Sequence, residues 1–200
     1  MKSILGILIL TSLWIAGFTT SFAKTGIYLA GGLGWAQQTG LPDSTQFDSE
    51  GATEQSEGPF AHRIALGYNK DLNETSAIGL ELGYGSYGNT DYGIGSLDSK
   101  AFDLLAVGRF RMSSRFEMFG KAGVARETLD VPDSLSNTIR GDRTDYNPMV
   151  GAGLGYSLSE SSQIHLDYNH IFGGDVVSNS NDSTTPSLSA VLLGLQHTFG

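Results

Sequence analysis

Three polar residues near the carboxyl end of the chain have the types that hydrolytic chemistry needs. His165 and Asp167 are two positions apart, so in a β-strand their side chains share one face, and Ser157 lies one predicted strand away. Serine, histidine and an acid together can carry out acyl transfer. Serine is common, however, and the polar interior of a closed sheet routinely contains such neighbours. We therefore interpret the three residues as part of a polar network and predict no enzyme.

The sequence predicts neither a metal nor a cofactor site. His62 and His197 lie near the ends of predicted strands and point away from the polar face, whereas a metal needs a convergent cluster. The glycines keep strand spacing and form no phosphate-cradling loop. No polar connection shows regular calcium-ligand spacing.

The amino-terminal residues have the organisation of an export signal. Lys2 supplies a positive charge, residues 4–18 form an apolar run, and Ser21-Phe22-Ala23 offers small residues where a signal peptidase reads them. We predict that residues 1–23 are a cleaved signal peptide and that the mature chain begins at Lys24. With no cysteine, neither disulfides nor a lipid-modified amino-terminal cysteine can hold the chain.

Composition after the predicted cleavage narrows the class of protein further. The remaining residues contain 21 acids against 11 bases, so the chain will not seek nucleic acid. Over the whole sequence glycine is abundant, at 27 residues, and prolines are few, at five, which suits a β-protein of many strands. A single domain over residues 24–200 accounts for this length.

Eight stretches of the chain alternate apolar with small or polar residues, and none shows sustained helical spacing. In the last stretch Val191, Leu193, Leu195 and Phe199 share one face, and a sheet or lipid must cover it. The eight predicted strands are residues 25–36, 60–69, 76–86, 99–111, 116–127, 148–157, 163–172 and 187–199.

The connections between these strands alternate in length. Those at 37–59, 87–98, 128–146 and 173–186 are long and polar, whereas 70–75, 112–115 and 158–162 are tight turns. Outer-membrane barrels have this asymmetry, with short periplasmic turns and long extracellular loops. We therefore predict an all-β fold, a transmembrane eight-stranded antiparallel up-and-down β-barrel, with four long extracellular loops and both termini in the periplasm.

The charged residues of the predicted strands support lipid outside and a polar lumen inside. A charge facing lipid near mid-membrane costs about 2–4 kcal/mol, whereas a lumen charge can be paired. Lys100 and Arg126 point outward, near strand ends, where long side chains can reach the polar boundary. A soluble barrel would invert this pattern. The residues predicted to form a lumen ion-pair network are Arg63, Glu81, Asp103, Arg109, Lys121 and Asp167, with Arg111, Glu117 and Glu127 on the same face.

The excess negative charge lies in the long connections. These contain 13 acidic residues and two basic ones, Arg140 and Arg143. Solvation and repulsion between neighbouring proteins explain this acidity. The alternative is that the acids share divalent cations with anionic surface lipid or meet a basic partner.

Several motifs resemble the small eight-stranded outer-membrane barrels, a family that includes the OmpA transmembrane domain, OmpX and the opacity-type "porin family" proteins. They are Gly26-Ile-Tyr-Leu-Ala-Gly-Gly-Leu-Gly-Trp35, Gly79-Leu-Glu-Leu-Gly-Tyr84, Gly120-Lys-Ala-Gly-Val124, Gly151-Ala-Gly-Leu-Gly-Tyr156, His165-Leu-Asp-Tyr168 and the closing Gly194 to Phe199. The resemblance covers Lys24 to Gly200. It implies a bacterial outer-membrane location, and lumen roles for Glu81 and Asp167.

The resemblance also implies an assembly signal at the carboxyl end, carried by Gly194, His197 and Phe199. In the family the barrel-assembly machinery reads this strand, favouring a terminal aromatic and a second one two residues earlier. Phe199 matches, whereas His197 stands where tyrosine or phenylalanine is usual, and Gly200 extends past the usual end. Lipid A deacylases of this size carry His-x-Ser-Asn, and His170-Ile-Phe-Gly departs from it at the nucleophile.

Together these features predict a structural or surface-interaction barrel, acting in envelope integrity or in adhesion through its acidic loops, with a plugged lumen. Glycines that thin the lumen leave a small gated porin as the alternative, followed by a barrel enzyme that modifies lipid A. The implied partners are outer-membrane lipid, lipopolysaccharide, the barrel-assembly machinery, and host or neighbouring surface molecules. A closed barrel has no exposed edge, so we expect a monomer.

Overall fold

A computed structural model describes residues 25–40, 56–91, 96–130, 143–174 and 185–199. The predicted signal peptide, residues 1–23, lies outside this part of the chain. No helix within the described ranges is long and apolar enough to cross a membrane. The eight strands are β1 (Gly26–Thr39), β2 (Ser56–Asp71), β3 (Ser76–Asp91), β4 (Ser96–Arg111), β5 (Phe116–Asp130), β6 (Arg143–Ser157), β7 (Ser162–Ile171) and β8 (Ser187–Phe199).

The strands close into one antiparallel barrel in sequence order. Each strand pairs with the next, and β1 pairs with β8 from Ile27 opposite Phe199 to Thr39 opposite Ser187. Closure leaves none of the eight strands with an unpaired edge. The predicted eight-stranded up-and-down architecture is confirmed.

Three tight turns of the same design lie at one end of the barrel. The first amide of each turn donates to the carbonyl oxygen four residues later, as from Leu72 to Ser76, Met112 to Phe116 and Leu158 to Ser162, each at 2.9 Å. The other end carries the four remaining connections. We call the two ends the short-turn end and the long-connection end.

The strands extend further toward the long-connection end than the alternation of residues indicated. The β3–β4 hairpin reaches Asp91 and Ser96, so the connection expected at 87–98 has only residues 92–95 between its strands. A bulge between Ser86 and Asn89 interrupts the ladder, where Gly88 has a φ of 84°. Beyond the bulge every paired residue except Leu97 is polar, so no alternation of apolar and polar residues marks this part of the ladder in the sequence.

The outer face of the barrel is apolar on every strand. Large side chains such as Trp35, 69% exposed, and Leu193, 60% exposed, project from the wall with no described residue covering them. From Val191 to Phe199 the β8 stripe rises about 20 Å along the barrel axis, given roughly 3.3 Å per residue and a tilt of about 40°. This approaches the height of the apolar band of a membrane barrel, about 25 Å.

Candidate functional site

Glu81 is the centre of a polar network inside the barrel. Its side chain is 1% exposed. Oε1 contacts Arg63 Nη1 at 2.9 Å and Lys121 Nζ at 3.0 Å, while Oε2 accepts a hydrogen bond of 2.7 Å from the Tyr28 hydroxyl. Both carboxylate oxygens are therefore paired with charged or polar groups from three other strands.

Two further acids extend the network from its two bases. Arg63 donates from Nη2 and Nε to the two oxygens of Asp103, at 2.5 and 3.0 Å, in a bidentate pair. Lys121 Nζ contacts Asp167 Oδ2 at 3.1 Å. Asp103 is 0% exposed. The chain of pairs Asp103, Arg63, Glu81, Lys121, Asp167 joins five strands across the lumen.

A second polar cluster surrounds Arg109, nearer the short-turn end. Its guanidinium donates to Glu117 at 2.5 Å, Gln196 at 2.8 Å and Asn69 at 3.2 Å. Gln163 donates to Glu117 at 3.0 Å. The guanidinium carbon also lies 5.1 Å from the centre of the Tyr28 ring. The structure thus places all six predicted network residues inside the barrel, but Arg109 belongs to a separate cluster.

A buried apolar layer fills the lumen beyond the network, toward the long connections. Sequence reasoning missed this layer, although Leu105 and Leu192 have inward parity and could have revealed it. On β4 Asp103 lies between two of its members, Ala101 and Leu105, so the layer overlaps the network there. Glu127 and Arg143 are buried nearer the long-connection end. The members of the layer are Ala36, Ala61, Tyr87, Ala101, Leu105, Ala125, Met149, Ile171, Leu188, Ala190 and Leu192.

Inward glycines make room for large neighbours instead of widening the lumen. A Cβ added at Gly67 would collide with the Tyr28 ring, one at Gly83 with the Arg63 guanidinium, and one at Gly153 with the Phe119 ring. A cavity beside the network has a volume of about 10 Å³, roughly the space for one water. At Gly83 and Gly153, two of the glycines expected to thin the lumen, side chains from adjacent strands occupy the space.

The residues considered for hydrolysis are not assembled for it. His165 Nε2 lies 3.9 Å from Asp167 Oδ2. Among the hydrogen bonds of the described residues, none joins Ser157 to His165. The His165 ring instead packs against Phe119, with ring centroids 6.4 Å apart. The described ranges also contain no group of three or more histidine, cysteine, aspartate or glutamate residues placed to hold a metal.

Three outward histidines share one packing arrangement. Each stands opposite a serine on the neighbouring strand and contacts an aromatic ring two residues away. His170 Nδ1 lies 2.9 Å from Ser189 Oγ, and His197 Nδ1 lies 3.0 Å from Ser162 Oγ. Recurrence on different strands indicates a packing motif rather than a catalytic pair. The three sets are His62 with Ser86 and Phe60, His170 with Ser189 and Phe172, and His197 with Ser162 and Phe199.

The residues of the predicted assembly signal are divided between the two faces of β8. Gly194 lies inside, where an added Cβ would meet His165 and the carbonyl oxygen of Gly31. His197 and Phe199 lie outside, with ring centroids 4.7 Å apart. Phe199 is 49% exposed and pairs with Ile27 of β1. The two rings thus form one aromatic surface at the seam that closes the barrel.

A closed antiparallel barrel with charges inside and an apolar outer face is a transmembrane β-barrel. The chain belongs to the OmpA-like transmembrane domain family, whose model matches residues 23–200. The protein is therefore located in the bacterial outer membrane.

Two solved barrels are similar to the chain in fold. Neisserial surface protein A is 17% identical, with a TM-score of 0.56 over 88% of this chain and 98% of its own. Ail, the attachment invasion locus protein of Yersinia pestis, is 14% identical, with a TM-score of 0.52 over 88% of this chain and 100% of its own, in complex with the heparin analogue sucrose octasulfate. A curated relative, an uncharacterized protein of Coxiella burnetii, is 28% identical over 89 residues, which span 43% of this chain and 35% of that protein.

Proposed function

We propose that the protein is a non-conducting outer-membrane barrel with a structural and surface-interaction role. The Glu81 network carries this proposal, because its side chains bridge the lumen from strand to strand. An eight-stranded barrel has an interior just wide enough for side chains to fill. A solute would have to displace both the network and the apolar layer.

Energetics favour a plugged lumen. Breaking a buried ion pair leaves an uncompensated charge and costs about 3–5 kcal/mol. Arg63 and Lys121 each contact two acids, so moving either side chain breaks two pairs at once. We infer that such openings are rare, and that a small gated porin would need a loop or wall movement as well.

Planar-bilayer recording tests the proposal. We expect the purified barrel to give no steady conductance, because the network and the apolar layer both obstruct the lumen. A triple variant, Arg63→Ala with Glu81→Ala and Leu105→Ala, removes the centre of the network and part of the apolar layer and should show openings, which verifies insertion in the same assay. Steady, large channels from the unchanged protein would show that the lumen is open.

The composition of the long connections supports the surface-interaction part of the proposal. Between the strands as the structure bounds them, residues 40–55, 92–95, 131–142 and 172–186 contain eight acids against one base, Arg140. Ail was solved with a polysulfated sugar, and an acidic surface would repel such a ligand. We therefore propose a basic surface molecule, or an anionic one bridged by divalent cations, as the partner of these connections.

Trimming the long connections provides the test of surface interaction. We expect a barrel with shortened connections to keep its gel shift between unheated and heated samples, because the strands are intact, but to lose binding to polycation-coated surfaces. Binding should fall with added salt, since exposed charges are screened. Equal binding by the trimmed and untrimmed barrels would rule this role out.

A further inference from the structure

We propose that Arg126 and Lys100 form a binding site on the outer wall for the phosphate groups of an outer-leaflet glycolipid. The site lies on β4 and β5 at the long-connection end. The proposal rests on the outer-membrane location of the protein, and it is independent of whether the lumen conducts. Three observations support the site: where the two cations lie along the wall, which residues flank them, and how weakly the protein compensates their charge.

Both cations stand where the apolar band of the wall ends. On β5 the outward positions from Phe116 to Val124 are apolar or glycine, and Arg126 is the next outward residue. On β4 the apolar positions end at Phe102, and Lys100 is next. The phosphate groups of a membrane lipid lie at this boundary, just outside the hydrocarbon.

Aromatic residues flank Arg126 on both sides. In the strand register Arg126 lies opposite Phe102 of β4 and Tyr146 of β6, and Tyr84 of β3 follows Phe102 in the same row. Tyr146 is 69% exposed. Such rings mark the headgroup level of a membrane. The arginine is therefore held at headgroup depth by its strand and its neighbours.

The two cations are poorly compensated by the protein itself. Arg126 is exposed and makes no hydrogen bond or ion pair with the described residues, in contrast to Arg63 and Arg109 in the lumen. Lys100 pairs with Asp130, but their side chains are 42% and 39% exposed, and such pairs contribute little. Lys100 and Arg126 are diagonal neighbours on adjacent strands, so an anion between them would relieve their repulsion.

Phosphate fits this pair better than a carboxylate-bearing partner from solution. The guanidinium offers a planar fork for two phosphate oxygens, and the lysine adds a point charge. Asp98 and Asp130 face each other across β4 and β5, one row beyond Lys100 on the side away from the apolar band. An anion approaching from solution must pass these acids, whereas a lipid phosphate enters sideways within the membrane. A glycolipid with two phosphates can engage both cations together.

The test is native mass spectrometry of the folded barrel in detergent with added lipid A. We compare bisphosphorylated lipid A, monophosphorylated lipid A and phosphatidylglycerol. Bisphosphorylated lipid A should bind best, and Arg126→Gln with Lys100→Gln should weaken its binding by about tenfold or more, because charge-assisted hydrogen bonds are lost. Lys70→Gln, which removes an outward cation next to a short turn, is the matched control and should change little.

Three outcomes would contradict the proposal. Equal lipid A binding by the double variant and the unchanged protein would show that the cations do not bind it, and equal loss in Lys70→Gln would show non-specific attraction. Equal binding of phosphatidylglycerol, with the same loss in the double variant, would contradict the glycolipid assignment. The gel shift of unheated samples verifies folding of each variant, and Arg126→Lys, which keeps the charge, should retain most of the binding.

Discussion

Replacing Arg63 with glutamine is expected to lower the free energy of unfolding by about 3–5 kcal/mol. The substitution leaves Asp103, which is 0% exposed, without its bidentate partner and removes one of two bases from Glu81. The measurement is urea unfolding of the barrel refolded in lipid vesicles, followed by tryptophan fluorescence and by the gel shift.

Lys100→Gln is the matched control for this prediction. It removes an ion pair of the same kind, with Asp130, on the exposed outer wall. Its cost should be at most about 1 kcal/mol, because water and salt screen the pair. Losses of the same size at both positions would show that burial does not govern the strength of these pairs, and that the network is not the main electrostatic support of the barrel.

Replacing Phe199 with alanine is expected to reduce the folded barrel in the outer membrane several-fold, while the refolded protein keeps most of its stability. Phe199 is half exposed on the outer wall and packs on His197, so few contacts inside the protein are lost. We infer that its main role is in assembly, as the terminal aromatic of β8. Membrane fractionation measures the first quantity, and urea unfolding in vesicles measures the second.

Leu105→Ala should show the opposite behaviour. Leu105 is fully buried in the apolar layer, and its truncation leaves a cavity that costs about 2–5 kcal/mol in unfolding free energy. Its effect on the amount assembled should be smaller than that of Phe199→Ala. If the two variants lose assembled barrel and refolded stability in the same proportion, then Phe199 contributes only packing and is not an assembly signal.

Strand positions and faces could be predicted from the sequence because a β-strand has a period of two. Val191, Leu193 and Leu195 indicate an outer face by themselves, and Arg63 indicates an inner one. Strand ends could not be located in this way. Past the bulge beside Gly88, every paired residue of the β3–β4 ladder except Leu97 is polar, so the alternation that marks a strand in the sequence is absent there.

The partners within the lumen could not be predicted for a different reason. Glu81 meets Lys121 two strands away and Tyr28 on β1, contacts that depend on how the tilted strands are staggered around the barrel. The alternation of residues along a strand shows that a side chain points into the lumen, but it does not show which side chains of other strands it contacts. Tyr28 shows the same limit, because only the structure places its hydroxyl on Glu81.

The lumen network has a consequence for the order of events during membrane insertion. Asp167 pairs with Lys121 from β7 to β5, Gln196 with Arg109 from β8 to β4, and Tyr28 with Glu81 from β1 to β3. A partly inserted sheet would hold several of these charges without partners in a low-dielectric medium, where they are costly. Half-built forms are therefore high in energy, and the closed barrel should form and unfold as one cooperative unit, with the β1–β8 seam as its final, committing step.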